Sequence, residues 1–305
     1  RPSDDSNSES DCERVPGGPR CGCRDELGVT MELYQLTTKV GDRVAGLYIK
    51  HFRSKGVTLL FSHGNAVDLG LLRDHALALS CELQVNIFAY DYSGFGASTG
   101  TSTEENIYHN IEAVFQFLTV ELQVPRSKII LYGQSIGTAP TMELASKTKH
   151  LRGVVLHSPF LSGARVFFPD WRWYPVDAFS NCDKAQRISS PVLIMHGLND
   201  EIIDINQAMA LHRLLGHVSV MPLFIAGAGH NNMECYPEYT FRLREFLDHV
   251  EACQMNKTVV LEEDVDSPRP HNDADPSSPE ADCTGHNALC IGIGSIFAKL
   301  RLIQD

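Results

Sequence analysis

The chain has 305 residues, 43% of them hydrophobic, and a formal net charge of −12. That is enough for one large or two small domains with a sizeable buried core. The acidic balance, with no lysine- or arginine-rich run, excludes a nucleic-acid-binding surface.

Residues 1–29 are rich in Ser, Asp, Gly and Pro and lack periodicity, so they are expected to form a disordered lead-in. Met31–Thr37 and Arg43–Lys50 alternate as strands do, and Gly41-Asp42 between them predicts an antiparallel hairpin. The pattern then changes. Val57–Phe61, Val85–Tyr90, Lys128–Tyr132, Gly153–His157, Val192–Met195 and Val220–Ile225 are short apolar runs without alternation, as expected of strands buried on both faces.

Helical patterns lie between these runs. The clearest opens with the capping box Ser102-x-x-Glu105 and carries Ile107, Ile111, Val114, Phe115, Leu118 and Leu122 on one stripe. Others are expected at about 68–80, 136–148, 206–216 and 237–252. Strand–helix alternation behind a hairpin predicts an α/β fold, with a mostly parallel central sheet and helices on both faces. Ligands then bind at the carboxyl ends of the strands.

One domain is expected over 30–253, with an insertion at about 160–190 that has no strand signal. From 254 to 305 the sequence reads as a disordered acidic tail, with nine Asp/Glu against four Lys/Arg. Within it Ala288–Ile303 is a short apolar stretch that suits a surface-lying or docking helix.

The nine cysteines are an odd number and show neither C-x-x-C pairs nor zinc spacing, so neither a disulfide framework nor a metal site is expected. Without a signal core or a long uncharged apolar run, neither a signal peptide nor a spanning helix is expected, and the expected location is the cytoplasm. Asn256-Lys257-Thr258 matches a glycosylation sequon by chance.

Chemistry concentrates at Gly133-Gln134-Ser135-Ile136-Gly137, where an apolar strand meets G-x-S-x-G and then a helical segment. A serine hydroxyl is a weak nucleophile unless it is exposed on a sharp turn, next to a base and beside N–H donors. Its partners are expected after later strands, in the order acid, then histidine. Asp200 follows Val192–Met195, and His230 ends a glycine-rich loop after Val220–Ile225. Asp200 would orient His230, and His230 would take the Ser135 proton. Asp204 is the rival acid, further from the strand end.

Ser62-His63-Gly64-Asn65-Ala66 sits where such folds place the second oxyanion donor. Asn65 or Ala66 is expected to join Ile136 there, with His63 holding the loop. The glycines of Asp91–Ser98 suggest a tight structural turn. In the insertion, Phe167, Phe168, Trp171 and Trp173 either line an acyl groove or form a small core of their own, and composition does not separate the two.

The runs Ser62–Gly70 (SHGNAVDLG), Tyr90–Ser98 (YDYSGFGAS), Tyr132–Gly137 and Leu156–Pro159 carry a resemblance. Over about residues 31–252 the chain resembles the alpha/beta hydrolase domain-containing protein 17 family. The resemblance implies an α/β-hydrolase fold with a short cap at the insertion, and a cofactor-free serine hydrolase that removes palmitate from protein cysteines. Ser135, Asp200 and His230 fall on the family's nucleophile, acid and base. It also implies S-acylated protein substrates, or lipid-like acyl substrates, and peripheral membrane association. Cys12 and Cys21-Gly22-Cys23 stand where the family usually has an acylated cysteine cluster, but without its apolar neighbours. Two alternatives stay open: a general carboxylesterase or lipase, and a binding protein on the same fold.

Overall fold

The computed structural model describes residues 28–168 and 177–263, with side chains through 254. The expected hairpin is present: β1 (Val29–Thr37) and β2 (Arg43–His51) pair antiparallel from Val29↔His51 to Thr37↔Arg43. The turn between them runs through Gly41 at φ +89°, a conformation in which a Cβ would be strained.

Six more strands extend the sheet. They are β3 (Thr58–Ser62), β4 (Asn86–Tyr90), β5 (Ile129–Gln134), β6 (Gly153–His157), β7 (Val192–Gly197) and β8 (Leu223–Ile225). The order is β1-β2-β4-β3-β5-β6-β7-β8, antiparallel from β1 to β4 and parallel from β4 to β8. Every residue of β3, β4, β6 and β7 is buried, which is why those runs show no alternation. β8 is shorter than the run that predicts it. Pro222 has no N–H for the ladder, so residues before it make only an isolated bridge, Val192↔Ser219.

Helices cover both faces. On one lie α2 (Glu104–Gln116), α3 (Thr138–Lys147) and α5 (Ile205–Leu214), packing Ile107, Ile111, Met142 and Leu211 against Leu60, Leu131 and Ile194 of the sheet. On the other, α1 (Leu69–Leu83) and α6 (Pro237–Glu263) bring Leu72, Ala76, Phe246 and Val250 onto Phe61, Ile130 and Leu193. Each fully buried Leu, Ile or Phe contributes about 1.5–3 kcal/mol, so the two layers carry the fold. A short helix, α4 (Gly163–Phe167), forms in the insertion.

Two helix ends depart from expectation. Thr103, not Ser102, caps α2: its Oγ1 accepts the Asn106 N–H at 3.1 Å, and Glu104 and Glu105 in the first turn favour the positive helix end. The cap therefore lies one residue along, and Glu105 points into solvent near His109 instead of closing a box. Helix α6 runs to Glu263, past the point where the composition changes, because no Gly or Pro interrupts the chain before Pro268. Residues 1–27, 264–305 (with Ala288–Ile303) and 169–176 lie outside the described residues. The sheet order and its two helical layers are those of an α/β-hydrolase fold.

Candidate active site

Ser135 occupies the corner between β5 and α3 with φ +53°, left-handed backbone that a residue with a Cβ adopts only under constraint. The flanking glycines supply that constraint. A Cβ on Gly133 would meet Gly137 O and Thr141 Oγ1, and one on Gly137 would run into Ser62 O at the end of β3. Close packing of two strand ends and one turn thus presents the Ser135 hydroxyl at the carboxyl edge of the sheet.

The loops after β7 and β8 are packed just as tightly. Asn199 N–H donates to Ala228 O at 2.9 Å, and a Cβ on Gly197 would strike Ala228 O. Gly227 takes φ +82°, and Gly229 N–H donates to Asn232 Oδ1 at 2.8 Å. This arrangement delivers His230, 2% exposed, with Nε2 3.0 Å from Ser135 Oγ and Nδ1 2.7 Å from Asp200 Oδ2. The other carboxylate oxygen, Asp200 Oδ1, accepts the Ile202 and Ile203 N–H groups at 2.9 and 2.8 Å.

Burial alone would push the Asp200 carboxyl up. Hydrogen bonds from His196 and His230, the charge of His230 and the Ile203 N–H outweigh it and hold the group well below the usual carboxylate range. Asp204 plays another part and caps α5, accepting Asn206 N–H at 2.7 Å. The geometry therefore joins Ser135, His230 and Asp200 in one hydrogen-bonded line and leaves Asp204 out.

Of the three expected oxyanion residues, Ile136 and Asn65 line a slot that opens on Ser135, whereas Ala66 is exposed and does not line it. Ile136 lies in the first turn after β5, where N–H groups have no partner within the helix. The reason for Ala66 is local: the chain turns outward after Asn65 to reach Asp68, whose Oδ1 caps α1 through Leu71 N–H.

His63 is fully buried, donates from Nδ1 to Gly64 O at 2.7 Å and packs on Tyr92 at 4.4 Å between ring centroids. Tyr92 in turn donates its hydroxyl to His63 O at 2.6 Å, and Asp91 Oδ1 accepts Leu69 N–H at 2.8 Å. Both segments thus hold the loops in place, as expected of them.

The slot is narrow and almost wholly apolar, with about 480 Å³ of empty space including its mouth. Phe167 lines it, as does the buried Phe179 of the same insertion. Phe168 does not line it; at 51% exposed it serves neither the groove nor the buried core that the sequence left open for it. Trp171 and Trp173 lie outside the described residues. Sequence reasoning missed Phe160, Val166, Ile202 and Ile203 as lining residues. The Ile202-Ile203 pair just beyond Asp200 was the available signal.

Contacts from separate elements hold the Phe179 wall. Phe179 N–H donates to Glu104 Oε1 at 2.7 Å, Gly163 N–H to Ala178 O at 2.7 Å, and Asn181 Nδ2 to Phe160 O at 3.0 Å. Among the described residues no group of three or more His, Cys, Asp or Glu is arranged to hold a metal ion, and no helix is long and apolar enough to cross a membrane.

Comparisons with known proteins agree with this architecture. A family model described as "Serine aminopeptidase, S33" matches residues 54–176. Mouse alpha/beta hydrolase domain-containing protein 17C is 44% identical over 220 residues, covering 72% of this chain and 68% of that protein. The human 17B protein is 44% identical over 218 residues, 71% and 75% of the two chains. The Caenorhabditis elegans protein aho-3 is 45% identical over 237 residues, 77% and 70%. Among solved structures, the Pyrococcus furiosus esterase Pf2001 superposes with a TM-score of 0.61 at 19% identity, covering 73% of this chain and 94% of its own. With this fold and 44% identity over most of its length, the chain belongs to the alpha/beta hydrolase domain-containing protein 17 family, a family of α/β hydrolases.

Proposed function

We propose that the chain is a serine hydrolase that cleaves acyl thioesters, acting on palmitoylated proteins. One observation carries this reading: the hydrogen-bonded line Ser135–His230–Asp200 ends at the mouth of an apolar slot. His230 Nε2 accepts the Ser135 proton as Oγ attacks the acyl carbonyl, and Asp200 steadies the imidazolium that forms. The N–H groups of Ile136 and Asn65 receive the oxyanion. Collapse of that intermediate expels the thiolate, His230 returns its proton to it, and water repeats the sequence on the acyl-enzyme. The apolar slot takes the acyl chain.

A thiolate, with a pKa of about 8.5, leaves without strong acid assistance, so the triad chemistry accommodates esters and thioesters alike. The preference for thioesters, for S-acylated proteins and for work at a membrane surface rests on the resemblance to the family, and the apolar slot supports only that the acyl group is a long one. The esterase-like neighbours favour a second reading, hydrolysis of soluble or lipid-like acyl esters. Matched acetyl and palmitoyl esters and thioesters, assayed on one preparation, discriminate the two. Labelling by a serine-reactive phosphonate tests the chemistry itself: label on Ser135 is expected, and a folded protein that takes none is a binding protein.

A further inference from the structure

Both oxygens of the Asp200 carboxylate are engaged, and one of their partners is a second histidine. His196 Nε2 lies 3.1 Å from Asp200 Oδ2, the oxygen that also meets His230. The same Nε2 lies 2.9 Å from Ile203 O. Because both neighbours are acceptors, the His196 proton sits on Nε2 and is shared between them. His196 is fully buried on β7, and its Nδ1 has no partner among the described residues. An apolar side chain would fill this place without the cost of burying an imidazole, so its polar edge needs a reason.

That reason lies in what the imidazole joins. Asp200 holds His230, whereas Ile202 and Ile203 form a wall of the slot and hang from Asp200 Oδ1 by their N–H groups. We propose that His196 is a positioning residue that locks the Asp200 carboxylate and the Ile203 backbone into one unit, keeping the acid and the slot wall in register with Ser135. This rests on the reading of Ser135, His230 and Asp200 as a catalytic triad.

Removing the His196 N–H leaves Asp200 Oδ2 with His230 as its one side-chain donor. More of the carboxylate charge then falls on His230 and favours its protonated form. As pH falls, activity, which needs the neutral form, is then lost at a higher pH than in wild type. The other titratable groups in these surroundings are His75 of α1, His157 of β6, Glu201 beside the Gly229 backbone and Glu234 in the turn after His230. They are common to all the variants below, so a difference from wild type reports His196.

The test uses the full chain with His196→Leu, His196→Gln and His196→Asn. Gln can place an N–H near the Nε2 position; Asn reaches only the Nδ1 position, and Leu supplies bulk alone. The kcat/KM of palmitoyl and acetyl thioesters would be followed against pH, with Tm and phosphonate labelling alongside. His196→Leu is expected to lose about 10- to 100-fold with the palmitoyl substrate, a scale taken from the loss of hydrogen-bond partners that orient metal-ligating side chains. The loss with the acetyl substrate should be smaller, the acid limb should move to higher pH, and Gln should recover most of both.

An unmoved acid limb with equal losses on both substrates overturns the proposal, as does a Gln variant no better than Leu. Should Leu fail to fold, Gln against Asn decides on the same two readouts. Ser135→Ala separates the two levels of argument: if it is inactive while the His196 variants behave as wild type, only the positioning role falls. An active Ser135→Ala removes the triad mechanism on which the proposal rests.

Discussion

His230 Nε2 lies 3.0 Å from Ser135 Oγ although 95 residues separate them in the chain. The two meet because β5 and β8 are parallel strands of one sheet whose carboxyl ends point the same way. The register of the sheet brings the two loops together, and the contacts within those loops then aim the side chains.

Replacing Ser135 should therefore abolish turnover without unfolding the chain. Ser135→Ala and Ser135→Gly are each expected to lower acyl hydrolysis by a factor of about 10⁴ to 10⁶. They should differ in stability. Left-handed backbone costs a residue with a Cβ about 1–2 kcal/mol, so Gly at φ +53° gains against Ala, less the entropy of a freer unfolded chain. Urea denaturation of both variants checks this, and Ala as stable as Gly would remove the strain argument.

The two carboxylates after β7 should separate by kinetics. Asp200→Asn is expected to lower kcat by orders of magnitude, because the amide can favour the wrong imidazole tautomer. Asp204→Asn touches only the α5 cap, where Asn is also a good capping residue, and should leave kcat near wild type. A reversed order in steady-state kinetics would assign the acid to Asp204.

Slot residues should govern chain length. A buried methylene is worth about 0.8 kcal/mol, so Phe167→Ala, Phe179→Ala and Ile203→Ala are each expected to depress palmitoyl over acetyl thioester kcat/KM by tenfold or more. Phe179 and Ile203 are buried, and their truncation should also lower Tm. Phe168→Ala serves as the control, with both quantities close to wild type. Equal loss on both substrates across the three slot positions would show that the acyl chain lies elsewhere.

Acid sensitivity should trace in part to His157. Burial lowers its pKa from 6.5 to about 4 while its Nδ1 meets the Tyr132 hydroxyl at 2.8 Å. The unfolded chain takes up this proton at about pH 6.5 and the folded chain does so only near pH 4. The contribution is thus complete above about 6.5 and is lost as pH falls toward 4, on the order of 3 kcal/mol in all. Asp200, held low in the fold, acts in another window: its contribution is present above the ordinary aspartate pKa and is lost below it. His157→Asn should flatten the stability difference between pH 7 and pH 5 in urea titrations. A slope equal to that of wild type would assign the acid sensitivity to other groups.

Much of this was legible in sequence because the determinants are local. Strands buried on both faces must be apolar at every position, so β3, β4, β6 and β7 stand out as unbroken runs, and a ligand site at their ends follows from parallel packing. Gly133 and Gly137 announce the corner at Ser135, since side chains there would collide with Thr141 and Ser62.

The tertiary structure decided what depends on distance across elements. Nearness to the strand end favours Asp200 over Asp204 in the sequence, and the approach of the β8 loop is what makes the one a partner of His230 and leaves the other a helix cap. Phe167 and Phe168 are neighbours of one type, yet the turn of α4 sends one to the slot and the other to solvent. Nor does any local pattern mark His196, whose N–H acquires its two acceptors only when the loop beyond β7 folds back over the strand. Periodicity records which face of an element is apolar; the slot wall and the shared carboxylate arise where residues of several elements converge, and that convergence is fixed by packing the whole sheet.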